Sequence, residues 1–312
     1  MIGVELLKLF RRARTWISVT LICGLPFAVA VFIAVTHLAP PPGQGSAFLS
    51  AVLSQGALFP AAALAIVLPV FLPVAVAVVA GDSIAGEAAI GTLRYLLVRP
   101  VGRTRLLVAK LLSVTTYVLL AVLAVVLTAY ATGVLLLGPS RAAAVGQAPR
   151  GLDTTGPGGT SIPPGAIGPV VPGTANGGGA VQSGGAVTSL SGTPLTTLQL
   201  LERIVGAMAF ITVSMLGVAA IALFLSTITD SALGSALGAL AALVASEVLV
   251  TLNAATVIQP YLPTRYWLAW VDFFRQPIFW RDIQRGFAIQ AVYVAVFLAA
   301  AWANFATKDI TA

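Results

Sequence analysis

Apolar residues fall into six blocks of about 20 positions or more, separated by shorter polar stretches. A helix needs roughly 20 apolar residues to cross the hydrocarbon core of a bilayer. The blocks predict spans near Trp16–Leu38, Leu58–Ala80, Leu107–Leu137, Leu200–Leu225, Ala232–Val257 and Gly286–Ala306. The first is too long for the apolar region of a cleaved signal peptide. The second contains Pro60, Pro69 and Pro73. Proline removes a backbone donor and clashes with the preceding turn, so this span should be kinked. Lipid cannot serve the freed carbonyls, which places the span inside the bundle. The expected fold is an all-α polytopic membrane protein, with residues 1–312 forming one transmembrane domain.

Three segments outside the blocks have patterns of their own. Residues 2–15 place Ile2, Leu6, Leu9, Phe10 and Ala13 on one face of a helix and Glu5, Lys8, Arg11 and Arg12 on the other. This predicts an amphipathic helix lying in the membrane interface. Residues 138–198 hold half of the chain's 30 glycines and many prolines. Such a stretch buries too little apolar surface to offset its ordering entropy, so a flexible extracytoplasmic loop is expected. Its glycines are not followed by Lys-Ser/Thr, which excludes a phosphate loop. Residues 258–285 mix aromatics, prolines and charges, as interfacial segments do. They predict a re-entrant hairpin of two short helices in the outer leaflet, with Pro263 and Pro277 near their starts.

Composition supports a membrane class. The chain is 58% hydrophobic and 9% charged, against about 25% charged in soluble domains. The net charge of +7 lacks the interleaved aromatics of a nucleic-acid surface, so no nucleic-acid partner is expected. Most Lys and Arg residues fall on one side if both termini are cytoplasmic. The single cysteine, Cys23, cannot form an intrachain disulfide and lies in an apolar run.

Catalytic chemistry is sparse. One histidine, His37, cannot by itself build a metal cluster or a triad, and no HExxH, GxSxG or Walker A pattern is present. No catalytic residue, no metal site and no cofactor of its own are expected. Glu247 is the one acid deep in a predicted span, where a charge costs a few kcal/mol unless it faces a cavity or is bonded. With Asn253 it is a candidate for a substrate path; the alternative is a protonated Glu bonded to Ser246 or Thr251.

The charged stretch "GDSIAGEAAIGTLRYLLVRPVGRTRLLVAK", residues 81–110, closely resembles the cytoplasmic loop of ABC-2 type permeases, the membrane subunits of ABC exporters. The resemblance rests on Asp82, Glu87, Gly91-Thr92-Leu93, Leu96-Leu97, Pro100, Arg103 and Lys110, and on the ending "NFATKDITA". It implies a bacterial plasma-membrane half-transporter that exports a drug, lipid or other amphipathic substrate. Its partners would be a separate cytoplasmic ATPase binding ATP and Mg, a second copy or paralogue, and membrane lipid. The long 138–198 loop departs from relatives, which often have shorter connections there.

Local chemistry gives residues 81–106 a structure. Ser83 can cap a short helix with Glu87 in its first turns, and Gly91 can end it. Thr92 can cap a second helix carrying Leu93, Leu96 and Leu97, which Pro100 stops. The helix over Ser83–Ala89 is then the expected coupling helix, docked in a groove of the ATPase. The expected coupling residues are Asp82, Ser83, Gly86, Glu87, Gly91, Thr92, Leu93, Arg94, Pro100 and Arg103. Two other classes stay open at this point: an ion-coupled secondary transporter, and a membrane scaffold or assembly protein.

Overall fold

The computed structural model describes residues 2–36, 58–89, 103–137, 187–188, 191, 193–252 and 255–307. Nine α-helices follow one another among them. They are α1 (Ile2–Arg11), α2 (Ala13–Thr36), α3 (Phe59–Val67), α4 (Phe71–Asp82), α5 (Ala85–Ala89), α6 (Arg103–Thr132), α7 (Thr197–Ile228), α8 (Ala232–Thr251) and α9 (Trp280–Thr307). Helices α2, α7, α8 and α9, and α6 with the π-helical turn that follows it, are long and apolar enough to cross a membrane. The pair α3–α4 makes a sixth span if taken together, bent by 57°.

That bend lies where the prolines require it. Pro60 sits in the first turn of α3, where a missing N–H costs nothing. Pro69 falls in the break, and Pro73 in the first turn of α4. Helix α3 is buried almost all round, from Phe59 to Leu64 and at Val67. Helix α3 is therefore enclosed by protein, while Pro69 and Val70 at the break are exposed.

Helix α7 is the axis of the bundle and packs most extensively on α9 and α4. Its start is fixed by a capping box: Thr196 Oγ1 accepts from Gln199 N–H, and the Gln199 side chain accepts from Thr196 N–H. Membrane helices gain no hydrophobic drive from lipid-facing neighbours, so close approach matters more. Gly81 shows this between α4 and α8. A Cβ there would stand 2.7 Å from Ser235 Oγ and 3.0 Å from Ala236 N. Within the spans, Ser18 of α2 and Tyr117 of α6 share a 2.8 Å hydrogen bond.

Two ends of the bundle can be told apart by contact. One end gathers α1, the α4–α5 junction, the start of α6, the α7–α8 turn and the end of α9. Trp302 Nε1–H donates to Thr104 Oγ1 there, and Asn304 donates to Thr227 Oγ1. The far end gathers the start of α7, residues 255–279 and the start of α9. Gln276 N–H donates to Ser191 Oγ, and Thr193 Oγ1 donates to Gln276 Oε1. The predicted loop 138–198 lies largely outside the described residues. Its described end pairs Val187–Thr188 with Pro194–Leu195 as a two-residue antiparallel ladder.

Residues 258–285 correct a detail. The two short elements are 3-10 turns, Gln259–Tyr261 and Ala269–Phe274. Pro260, not Pro263, opens the first, and Pro277 follows the second through a cis peptide bond. The segment is held by its side chains: Trp270 is fully buried, Phe273 packs edge-on to Trp280, and Ser246 bonds Thr264 at 2.8 Å.

Candidate functional site

At the N-terminal end of the bundle, three carboxylates and four cations from three chain segments form two adjoining ion-pair clusters. Asp82, the last residue of α4, accepts from Arg12 at 2.6 Å and from Arg14 at 3.1 Å. Glu87, in α5, accepts from Lys110 of α6 at 2.8 Å and from Lys8 of α1 at 3.2 Å. Glu5 of α1 accepts from Lys8 at 3.2 Å and stands 3.6 Å from Lys110. Lys110 Nζ also donates to the carbonyl of Ser83. Glu87 is only 3% exposed and Lys110 2%.

The elements place these groups as follows. The i,i+3 spacing of Glu5 and Lys8 sets both on one face of α1, which turns that face toward α6. Lys110, two turns into α6, points its ammonium back across the α4–α5 junction. Gly86 makes room for Asp82: a Cβ at Gly86 would lie 2.2 Å from Asp82 Oδ1. Burial opposes ionisation of Glu87, but Lys110 and then Lys8 outweigh it and hold the carboxyl below the ordinary glutamate range. Burial likewise disfavours the Lys8 ammonium, yet Glu87 and Glu5 raise its pKa above the usual lysine value.

The junction has a second brace. Ser226, near the end of α7, accepts from the N–H of Ala85 at 2.8 Å and of Ile84 at 3.3 Å. Its hydroxyl donates to the Gly81 carbonyl at 2.7 Å, and Ser235 of α8 donates to the same oxygen at 3.0 Å. So the short helix α5 is capped from another helix. Ser83, expected to cap it, does not: its hydroxyl donates back to the Ala80 carbonyl at 2.6 Å and ends α4.

Asp82, Ser83, Gly86 and Glu87 are thus brought together in one cluster. Glu87 faces the bundle interior rather than an outside groove, because its two lysine partners lie on α1 and α6. Gly91, Thr92, Leu93, Arg94, Pro100 and Asn253 lie outside the described residues. Arg103 opens α6, and its side chain lies outside them also. Glu247 does not face the interior. It is exposed on α8, and neither suggested partner takes it: Ser246 bonds Thr264, and Thr251 bonds the Val248 carbonyl. It is also not central. Helix α8 ends at Thr251, four residues on, or about 6 Å at 1.5 Å per residue.

Sequence reasoning missed Glu5, Lys8, Arg12 and Arg14 as members of this cluster; it read Glu5, Lys8 and Arg12 as an interfacial face. It missed Ser226 and Ser235 entirely. The one available signal was serine on either side of the α7–α8 turn, in "STITDSALGS".

Residues 1–146 match the model of a family described as ABC-2 family transporter protein. Those residues are similar to the ABC-2 type permeases. The match covers α1 to α6, and so the whole ion-pair network and the stretch between α5 and α6. No curated protein matches the chain. Helix α5 is not an appendage of the spans, since it is embedded among α1, α4, α6 and α7.

Proposed function

We propose that this ABC-2 type permease forms the translocation pathway of an ATP-driven exporter for a drug, lipid or other amphipathic substrate. ATP and Mg are bound by a separate ABC ATPase subunit. A second permease copy or a paralogue completes the pathway. The N-terminal end of the bundle faces the cytoplasm, in a bacterial inner membrane.

The observation that carries the reading is the ion-pair network around Glu87. It makes α1, the α4–α5 junction and α6 one electrostatic unit at the end where an ATPase would press. Force applied to the residues that follow α5 enters that unit through Glu87 and Asp82. Ser226 and Ser235 pass it on to α7 and α8. Glu87 and Asp82 are therefore positioning residues for coupling, and the ATPase contact itself falls to residues 90–102.

Copurification tests the reading. The tagged permease, extracted in mild detergent, should bring down an ABC ATPase encoded beside it, and permease in proteoliposomes should raise that subunit's ATP hydrolysis. A Glu87→Gln variant should still bind the ATPase but lose most of the stimulation. Failure to copurify any ABC ATPase would sink the proposal.

A further inference from the structure

The far end of the bundle holds a cavity of about 680 Å³, remote from the ion-pair network. One wall is the break between α3 and α4, contributed by Ala65 and Pro69. The others come from the 3-10 segment and the start of α9. Three arginines reach it, Arg265, Arg275 and Arg285, against two carboxylates, Asp272 and Asp282. Arg275 is used internally: its Nε lies 3.0 Å from Asp272 Oδ1. Among the described residues no carboxylate stands within ion-pair distance of Arg265 or Arg285. Both are exposed, and both face the same hollow.

The rim is apolar and exposed: Leu268 is 60% exposed and Phe279 49%. Two unpaired guanidiniums beside an exposed apolar rim are complementary to an anion that carries an apolar tail.

We propose that this cavity binds the anionic headgroup of an amphiphile, a phosphate or carboxylate held by Arg265 and Arg285, with its chain lying over Leu268 and Phe279. Arginine suits such a group because its planar fork can make two charge-assisted hydrogen bonds at once. The site does not depend on the coupling reading above, because its test needs no ATPase.

The test is native mass spectrometry of the intact detergent-solubilised permease with phosphatidylglycerol, with phosphatidylcholine of the same acyl chains, and with inorganic phosphate. Phosphatidylglycerol should bind about tenfold better than phosphatidylcholine, the scale of one charge-assisted contact. The paired change Arg265→Gln/Arg285→Gln should bring that ratio close to one. Arg281→Gln, an exposed arginine on the same helix that does not line the cavity, should leave it unchanged. Arg285→Lys should keep part of the preference. Equal binding of the two lipids would overturn the proposal. So would an equal loss in Arg281→Gln, which would mean diffuse surface charge. Inorganic phosphate binding as tightly as phosphatidylglycerol would overturn the amphiphile and leave a small-anion site in its place. The substituted arginines carry no ion pair, so unfolding should not obscure the result; a thermal melt of each variant checks this.

Discussion

At the residue scale, Glu87 is defined by what it cannot lose. It and Lys110 are both nearly inaccessible, and Lys8 and Glu5 complete the set. Removing one partner of a buried pair leaves an uncompensated charge, which costs about 3–5 kcal/mol. Glu87→Ala should therefore lower the unfolding midpoint of the purified protein sharply. Glu87→Gln with Lys110→Met should recover much of the loss, because the pair itself contributes little net stability. A double variant no more stable than Glu87→Ala would contradict this. The pH dependence follows from the signs. Glu87 titrates lower in the fold than when unfolded, so its contribution is present above the ordinary value of 4.5 and fades as pH falls through the lowered folded value. Lys8 titrates higher in the fold, so its contribution is present below 10.5 and fades as pH rises past the folded value. Melting should be insensitive to pH between those limits from this source. Gly86 adds a steric prediction. Gly86→Ala would drive a methyl into the Asp82 carboxylate and disturb the Arg12 and Arg14 bonds, at a cost of about 1–3 kcal/mol by the usual scale of overpacking. The charges of this cluster are legible in sequence, and their directions are not. Arg12 and Asp82 are 70 residues apart, and nothing in a local pattern says that they meet.

At the element scale, α5 is a five-residue helix that could not stand alone, since a lone turn fixes many dihedrals for few bonds. Its first N–H groups are served by Ser226 from α7. Ser226→Ala would strand those donors in a buried site, at about 1–3 kcal/mol. Amide exchange over residues 83–89 should accelerate in that variant. Ser83→Ala should change it little, because Ser83 bonds within the end of α4. The opposite ranking would restore a local cap. This is where sequence reasoning reached its limit: a serine two residues before a short helix is a sound local signal for a cap. Here a better-placed hydroxyl across the bundle won. The bend between α3 and α4 was legible because proline acts on its own backbone, whatever surrounds it. The 3-10 turns of residues 258–285 were only partly so, because their geometry is set by Trp267, Trp270 and Phe273 packing inward and not by Pro263 or Pro277.

At the scale of the molecule, the spans read as apolar blocks correspond to α2, the α3–α4 pair, α6, α7, α8 and α9. The blocks were legible because the bilayer imposes its thickness on any sequence that crosses it. Depth within a span was less so. The fifth block was read to Val257, but α8 stops at Thr251, which moves Glu247 from the middle of the span to one turn from its far end. An acid there can reach the interface at modest cost, so it gives no support to an ion-coupled mechanism. Counting the bent pair α3–α4 as one crossing gives six, with a direct consequence for access from the two sides of a membrane. Leu7 on α1 is 53% exposed at the N-terminal end, and Tyr261 is 67% exposed at the far end. In a background where Cys23 is replaced by alanine, Leu7→Cys and Tyr261→Cys should react with a membrane-impermeant maleimide from opposite faces. In intact cells only Tyr261→Cys should label, and Leu7→Cys should label after permeabilisation. Thr307→Cys, at the exposed end of α9, should behave like Leu7→Cys, because an even number of crossings returns the chain to the side on which it began. Labelling of Thr307→Cys from outside would contradict the shared end of the bundle, where Lys8 and Arg12 pair with Glu87 and Asp82 and Asn304 of α9 bonds Thr227.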